Sequence, residues 1–350
     1  MKRIISLVLA LVLALSLAAC TKAPKTEPTT VAPTEAPTEA VPTATGVDVK
    51  LATLQGPTGM GMAYLLKDAA DGKALNNYEA TICAGPDEIT GKIVSGEFDI
   101  AALPTNAAAT LYNKSNGKVK LLALNTECVL YILEKGDTIK SMADLKGKTI
   151  YVSGQGSTPE FILNYLLEAS GLKVGEDVKL DFTYTTHNDL VAFAASGKAD
   201  VVLLPEPAVT ALLAQNKDMK VALSLDDVWD EVTDGTEYDG AEIAMGCVVV
   251  NTAFAEAHPD AVKAFLYEYE KSIDLVKDEK NIDQTAEIIA EVGIVAKAPV
   301  AKMALPRCNI TFETGAEMRE EVEGFYKVLF AAQPNSVGGQ LPDDNFYYAG

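Results

Sequence analysis

The chain has 350 residues and is strongly acidic, since its 49 Asp and Glu outnumber its 29 Lys and Arg and give a formal net charge of −20 at pH 7. Nucleic acid and anionic lipid surfaces are themselves negative, so this charge argues against either as a binding partner. The part after residue 46 is long enough for two domains of ordinary size, each with its own core.

The first twenty residues have the layout of a secretory signal peptide. Lys2 and Arg3 precede an apolar run at residues 4–19 that is too short to span a bilayer. The run ends in Leu-Ala-Ala-Cys at residues 17–20, which resembles the lipobox of bacterial lipoproteins. That resemblance implies that 1–19 are cleaved off and that Cys20 carries lipid. A plain signal peptide with a chance cysteine is the alternative.

Residues 20–46 are expected to be the lipidated cysteine followed by a disordered tether. Thr, Pro, Ala, Glu and Lys make up almost all of this stretch, which offers too little apolar surface to offset the entropy of ordering it. Its prolines favour extended polyproline geometry. We therefore expect an extracytoplasmic protein, anchored by lipid and held above the bacterial membrane.

From Val47 onward, short apolar runs alternate with helical stretches, a pattern that predicts parallel strands joined by crossover helices. In the first unit the predicted strands are 47–54, 78–84, 98–103 and 119–124. The predicted helices of this unit are 59–70, 87–95 and 106–112. A β-rich run at 128–134 leads away from the unit and is interpreted as a hinge.

The second unit follows the same plan. Its predicted strands are 149–152, 179–185, 200–204 and 220–224, and its predicted helices are 159–170, 188–195 and 208–215. A second β-rich run at 243–251 returns the chain to the first unit, and the rest is mainly helical, with amphipathic segments at 261–276 and 284–292. The expected lobes are therefore 47–128 with 245–350, and 129–244.

An internal repeat supports two lobes of similar build. Residues 95–107 match residues 196–208 without a gap, with the same Ser, Gly, Asp, Leu, Pro and Ala at six of the thirteen positions. In both copies a helix ends at Ser-Gly, an Asp opens a buried strand, and a Pro ends that strand where the next helix begins. Chance agreement between two α/β segments is the alternative.

Several of these segments together resemble type II periplasmic binding proteins, within the branch that serves ABC importers of sulfonates, taurine, nitrate and thiamine precursors. The resemblance covers about residues 47–335. It is carried by the lipoprotein start, residues 51–59, the Ser-Gly-x-x-Asp strand signature, residues 145–150 (Leu-Lys-Gly-Lys-Thr-Ile) and the loop 154–159 (Gly-Gln-Gly-Ser-Thr-Pro). It implies an α/β fold of two Rossmann-like lobes with a hinge made by two crossover segments. It also implies a monomer that encloses a small molecule by lobe closure and hands it to the permease subunits of the transporter.

The expected ligand-binding residues follow from this topology. In open parallel sheets a ligand lies beyond the carboxyl ends of the strands, where helix N-termini present free N–H groups. The candidates in the first lobe are Gln55, Gly56, Thr58, Gly59, Gly85, Thr105 and Asn106. The candidates in the second lobe are Gln155, Gly156, Ser157, Thr158, Tyr184, Thr185 and Glu206. Capping of the helix that starts near residue 159 is the alternative role for Ser157 and Thr158.

Glu206 is the sharpest candidate because it lies between two prolines at the mouth of the predicted cleft, where an acid can neutralise an amino-bearing ligand. A solvated loop acid is the alternative. None of these loops carries Arg or Lys, and Arg307, in a polar cluster, is assigned a structural role in preference to one in the cleft. We expect a neutral or amine-bearing ligand, such as a heteroaromatic ring stacked on Tyr64, Tyr112 or Tyr184. A sulfonate held by backbone amides is the alternative.

An enzyme on the same fold, similar to a thiamine-pyrimidine synthase, must also be weighed. That family uses a cysteine-rich run and histidines, whereas this chain has dispersed cysteines and only His187 and His258. No nucleophile elbow, phosphate loop or metal-ligand spacing is present, so we expect no catalytic residue, cofactor or metal. A ligand-sensing subunit of a membrane receptor is the other alternative. The cysteines after Cys20 are expected to be buried thiols, namely Cys83, Cys128, Cys247 and Cys308.

Overall fold

A computed structural model of the chain describes residues 41–350. The predicted signal peptide, the lipid site at Cys20 and residues 21–40 of the predicted tether lie outside the described residues. Residues 41–47 have no regular secondary structure, and the first strand follows directly.

Within residues 41–350 the first sheet has six strands, in the order β11-β4-β10-β3-β1-β2. They are β1 (Asp48–Leu54), β2 (Asn77–Cys83), β3 (Ile100–Pro104), β4 (Val119–Thr126), β10 (Gly246–Asn251) and β11 (Ile310–Glu313). β1 pairs in parallel with β2 and β3, as predicted. β10 runs antiparallel between β3 and β4, because it enters the sheet from the other lobe and not from a crossover helix.

Among the described residues the second sheet has five strands, in the order β7-β6-β8-β5-β9. They are β5 (Leu130–Lys135), β6 (Thr149–Val152), β7 (Lys179–Asp181), β8 (Val201–Pro205) and β9 (Met219–Ser224). β7 is shorter than predicted, because the Asp181 carboxylate accepts a hydrogen bond from the Thr183 amide at 2.9 Å and turns the chain.

Helices cover both sheets. In chain order they are α1 (Pro57–Met60), α2 (Ala63–Ala70), α3 (Asp87–Ser95), α4 (Thr105–Ser115), α5 (Thr158–Ala169), α6 (His187–Ala195), α7 (Ala208–Gln215) and α8 (Leu225–Thr233). The sequence reasoning missed α8, which begins where the Ser224 hydroxyl accepts a hydrogen bond from the Asp226 amide.

The two copies of the repeat occupy equivalent places in the two sheets. β3 and β8 have the same length, start 101 residues apart, and share one pattern of four buried residues followed by a half-buried Pro. Each lies between a parallel strand and an antiparallel strand that comes from a crossover segment. The prediction of two similarly built α/β lobes is therefore confirmed.

The C-terminal third is mainly helical, as predicted. It contains α9 (Thr252–Ala257), α10 (Pro259–Lys277), α11 (Ile282–Glu291), α12 (Ala298–Ala304) and α13 (Gly315–Ala332). Trp229 on α8 packs between Tyr165 on α5 and Phe325 on α13, with ring centroids 5.3 and 6.2 Å away, so the core continues from one lobe to the other. No helix between residues 41 and 350 combines the length and apolarity needed to cross a membrane.

The four cysteines after Cys20 are buried free thiols, which agrees with their predicted structural role. Cys247 and Cys308 are fully buried, and burial raises the pKa of both thiols far above the usual range. Thiols held neutral and out of solvent have little reactivity.

Candidate functional site

A cleft of about 600 Å³ opens where loops that follow strands of both sheets converge with the two crossover segments. Six of the predicted residues line it, and both lobes contribute. They are Thr58, Thr105, Asn106, Gly156, Ser157 and Thr158. None of the described residues that line this cleft carries a charged side chain.

The N-terminus of α4 lies at the cleft. The hydroxyl of the buried Thr105 donates to the Ala244 carbonyl, and the Thr105 amide donates to the Met245 carbonyl at 3.2 Å, so this residue is fixed to the second crossover. No described side chain caps the start of α4. The first-turn amides beginning at Asn106 and the positive end of the helix dipole are therefore available to a bound oxygen.

The N-terminus of α5 lies at the same cleft. Ser157 occupies the N-cap position with an extended backbone, yet its hydroxyl donates to the Gly154 carbonyl and does not accept from α5. The Glu160 carboxylate accepts from the Gly156 amide at 2.5 Å, and Gly154 and Gly156 have φ of +79° and +75°, which favour glycine. The alternative in which Ser157 serves to cap α5 does not match this arrangement.

Three more of the predicted residues shape the loop between β1 and α1 without lining the cleft. Gly56 has φ of +82° and donates its amide to the Ile294 carbonyl at 3.1 Å, while the Gln55 amide donates to Cys83 at 3.1 Å. A Cβ at Gly59 would lie 2.0 Å from the Leu54 carbonyl oxygen, so only glycine fits there. These residues place Thr58 at the cleft.

The remaining loop residues lie away from the cleft lining, and the tyrosines proposed for ring stacking already have partners. Gly85, Gln155 and Thr185 are absent from the lining. Tyr184 stacks on Phe193 with centroids 4.3 Å apart. The Tyr64 hydroxyl lies 3.0 Å from Thr285 Oγ1, and the Tyr112 hydroxyl donates to Asp343. The expectation of an aromatic ligand stacked on these rings is not supported by their positions.

Glu206 has a different environment from the free acid expected at the cleft mouth. Its side chain is fully buried and pairs with Arg307, whose Nε lies 2.5 Å from Glu206 Oε1. The carboxylate also accepts from the Thr210 amide and hydroxyl at 3.2 Å. Burial raises the pKa of Glu206, although the Arg307 charge opposes this. The carboxylate is engaged and is absent from the cleft lining, so its position does not support the expectation that Glu206 neutralises an amino-bearing ligand.

Ten of the lining residues were not among the candidates from the sequence, and most of them lie outside the strand-to-helix loops. Val129 and Met245 lie on the crossover segments, and Phe161 lies one turn into α5. The other missed residues are Pro57, Pro104, Thr126, Pro159, Gln333, Asn335 and Ser336. The turn after α13 is held over α4, where the Thr110 hydroxyl donates to the Ser336 carbonyl at 3.2 Å. The sequence around this turn carries no motif that places it at the cleft.

Comparison with known proteins gives a family and several structural neighbours. The model of the family described as phosphonate ABC transporter periplasmic substrate-binding proteins matches residues 75–303. No protein with a curated description matches the sequence.

Among solved structures, an ABC transporter protein from Parabacteroides distasonis is 26% identical, with 87% of this chain and 99% of the other covered and a TM-score of 0.71. The periplasmic aliphatic sulphonate binding protein SsuA from Escherichia coli is 18% identical, with 85% and 93% covered and a TM-score of 0.62. The alkanesulfonate-binding protein SsuA from Xanthomonas axonopodis, bound to MOPS, is 15% identical, with 85% and 95% covered and a TM-score of 0.55. The last two likenesses show the fold.

Proposed function

The chain belongs to the family of periplasmic substrate-binding proteins of phosphonate ABC transporters, and from its cleft we propose that it captures a small organic molecule with a singly charged oxyanion head, such as a sulfonate. Membership makes it the substrate-binding component of an ABC transporter that works outside the cytoplasm. The family consists of transport proteins, which counts against the synthase-like enzyme.

The observation that carries the proposal is the meeting of two helix N-termini at one uncharged cleft. α4 comes from the first lobe and α5 from the second, and neither start is capped by a described side chain. Each helix end acts as roughly half an elementary positive charge. These ends favour an anion of low charge, because Glu160 in the first turn of α5 already offsets part of that helix end. The free donors are the first-turn amides of α4 from Asn106 onward and the Thr158 amide of α5, since Pro159 has no N–H and the Glu160 amide donates to the Ser157 carbonyl.

The same reasoning disfavours other charge states. A phosphonate gains a second negative charge as the pH rises through neutrality, and the cleft lining offers no Lys or Arg to balance it. An amine would meet the positive ends of two helices, and the Glu160 carboxylate beside α5 is engaged by the Gly156 amide and does not line the cleft. A single negative charge is therefore the best match.

Apolar residues in the cleft lining would contact the organic part of the ligand. Phe161, Val129 and Met245 lie in the lining together with the polar residues Thr58 and Thr158. A cleft of this mixed character suits a polar head joined to a short carbon chain or ring. The two neighbours described as sulfonate-binding proteins have the same fold, which supports this class without naming the molecule.

A ligand that contacts residues of both lobes would favour closure of the lobes, and we propose that closure precedes delivery to the transporter. A molecule that contacts α4 and α5 at once favours the arrangement in which the two helix ends are close, so it shifts the population toward the closed form. We take the lobes to be residues 47–128 with 245–350, and residues 129–244. The closed form is then the one that docks on the permease subunits.

Isothermal titration with four small probes tests the ligand class. Ethanesulfonate, ethylphosphonate, ethylamine and a 4-aminopyrimidine differ in charge while remaining similar in size. We expect ethanesulfonate to bind most tightly, and ethylphosphonate to bind more tightly at pH 6 than at pH 8, where it carries more negative charge. Binding of ethylamine or the aminopyrimidine in preference to ethanesulfonate would overturn the proposal.

Membrane attachment is a separate part of the proposal. The lipobox-like residues 17–20 and the Pro-rich segment after them support lipidation at Cys20 and a tethered monomer. Expression of the full chain and of Cys20→Ala in a bacterial host, followed by fractionation, tests it. The full chain is expected in the membrane fraction and Cys20→Ala outside it. Equal distribution of the two would contradict lipid anchoring.

A further inference from the structure

We propose that Arg307 and Glu206 form an interlobe latch that sets how readily the cleft closes. Glu206 follows β8 of the second sheet, whereas Arg307 ends the 3₁₀ turn Leu305–Arg307 that leads to β11 of the first sheet. The inference rests on the proposed function in one respect, since it concerns how strongly the same cleft holds its ligand.

The Arg307 side chain forms hydrogen bonds to the second lobe through two of its nitrogens. Its Nε donates to Glu206 Oε1 at 2.5 Å, and its Nη2 donates to Thr210 Oγ1 at 2.7 Å. The same Nη2 donates to the Met303 carbonyl at 3.0 Å, which ties the guanidinium to its own α12. The planar fork of arginine therefore joins α12 of one lobe to α7 of the other.

Further contacts follow the same path between the lobes. The Tyr131 hydroxyl on β5 donates to the Arg307 carbonyl at 3.0 Å. Met303 and Arg307 border the α12 segment that packs against α7. The ion pair is thus the charged centre of a contact between the lobes and not an isolated surface pair.

The internal repeat explains why a carboxylate stands at this position. Glu206 occupies the place in the second copy that Thr105 occupies in the first, but α4 begins at Thr105 itself, whereas α7 begins at Ala208, two residues after Glu206. In the second copy, Glu206 Oε2 accepts from the Thr210 amide in the first turn of α7. The N-terminus of α7 is therefore already occupied by the Glu206 carboxylate of its own loop. Arg307 of the opposite lobe balances the negative charge of Glu206.

Burial makes this pair sensitive to lobe opening. The Glu206 side chain is fully buried, while 28% of the Arg307 side chain is exposed. Movement of α12 away from α7 would separate the charges and leave the carboxylate with Thr210 as its remaining partner, which is unfavourable for a buried charge. The pair therefore favours the arrangement in which α12 packs on α7, and we take this to be the arrangement that holds the ligand, so that the pair contributes to the affinity.

Four single variants test the latch. Arg307→Gln and Glu206→Gln remove one charge each, and Arg307→Lys keeps the charge but loses the fork. Arg319→Gln is the matched control, because Arg319 contacts Glu323 at 2.6 Å and Asp344 at 2.5 Å within the C-terminal part of the first lobe. Small-angle scattering of the ligand-free chain and fluorescence of Trp229, the only tryptophan, report the lobe arrangement without any ligand.

We expect Arg307→Gln and Glu206→Gln to have a larger radius of gyration than the wild type and a shifted Trp229 emission, with Arg307→Lys intermediate and Arg319→Gln unchanged. Ethanesulfonate should bind Arg307→Gln about tenfold more weakly, mainly through faster dissociation. Lower thermal stability with unchanged scattering and unchanged affinity would overturn the latch and leave the pair as a structural brace.

The outcomes separate the two proposals. If the wild type does not bind ethanesulfonate, the proposed ligand class fails, while the scattering and fluorescence of the ligand-free variants still decide the latch. If the wild type binds and all variants bind equally, the latch fails and the ligand class stands. If Arg307→Gln does not fold, Glu206→Gln and Arg307→Lys provide the same comparison with less disturbance.

Discussion

The loop after β3 and the loop after β8 stand at equivalent places in the repeat but differ in backbone and in chemistry, since α4 begins directly after its strand and α7 begins at Ala208, two residues further on. After β3, Thr105 and Asn106 line the cleft, and no described side chain caps the helix that follows. After β8, Glu206 caps the first turn of its own helix and pairs with Arg307. One duplicated segment thus serves two roles, since its helix end is open at the cleft in the first lobe, whereas in the second lobe a loop carboxylate occupies the helix end and joins the lobes.

A second contrast concerns charge on the two contact regions between the lobes. Around Arg307 opposite charges meet, whereas near α8 and α13 like charges meet. Burial and neighbouring carboxylates raise the pKa of Asp226 to about 7, that of Glu242 to about 8 and that of Glu321 to about 7. Ionisation around Arg307 therefore stabilises the contact between the lobes, whereas ionisation of the acidic groups near α8 and α13 destabilises it through repulsion.

Loss of the Arg307 charge has the largest expected effect on stability. Arg307→Gln leaves Glu206 buried without its cation, which should lower the free energy of unfolding by about 3 kcal/mol. Urea denaturation measures this change. Arg319→Gln, which breaks two exposed ion pairs, should lower the free energy of unfolding far less, because solvent screens exposed pairs. Equal costs for the two variants would remove the distinction between the buried pair and a surface pair.

A carboxylate placed at the open helix end should make it resemble the occupied one. Asn106→Asp puts a negative charge in the first turn of α4 at the cleft, and repulsion should weaken ethanesulfonate binding about a hundredfold. Asn188→Asp is the matched control, since Asn188 holds the same position in α6 away from the cleft lining. Titration calorimetry gives both affinities, and a similar small change in each would argue against an anion at α4.

The acidic region predicts that stability falls as the pH rises. A carboxyl group whose pKa is raised by folding stabilises the folded state below its unfolded pKa, and that contribution is lost as the pH passes the folded value. With folded values of about 7 to 8, the unfolding free energy should drop between pH 5 and pH 8 by about 1 kcal/mol or more.

Neutralising one of these acids should flatten that pH dependence. Glu321→Gln removes a carboxylate with a raised pKa, whereas Glu320→Gln removes its exposed neighbour on α13. Denaturant midpoints at pH 5 and pH 8 should converge clearly in the first variant and only slightly in the second, because the Glu320 charge supplies a smaller part of the repulsion that raises the pKa of Glu321. Identical pH profiles in both variants and the wild type would show that repulsion in this region is not what limits stability.

The smallest expected effect separates a cleft residue from a loop residue with the same side chain. Thr158→Val removes a hydroxyl from the lining, and loss of one hydrogen bond should weaken ethanesulfonate binding about fivefold. Thr185→Val changes an exposed loop residue outside the lining and should leave the affinity unchanged. If Thr185→Val weakened binding more than Thr158→Val, the binding site would have to be placed at the β7–α6 loop.

Helices and strands could be predicted from the sequence where neighbouring residues mark their ends. Contacts between residues far apart in the chain could not. The strands β3 and β8, and the helices after them, could be predicted because Gly, Asp and Pro mark their ends. The partner of Glu206 could not, since Arg307 is 101 residues away and reaches it through packing of α12 on α7. The same holds for Ser336, which only the fold of α13 over α4 brings to the cleft.

A crystal structure of the chain with ethanesulfonate tests the central claim most directly. The account predicts a sulfonate whose oxygens accept hydrogen bonds from first-turn amides of α4, beginning at Asn106, and from the Thr158 amide of α5, with Glu206 still paired to Arg307. A sulfonate bound elsewhere, or held by Arg307 in place of Glu206, would contradict it.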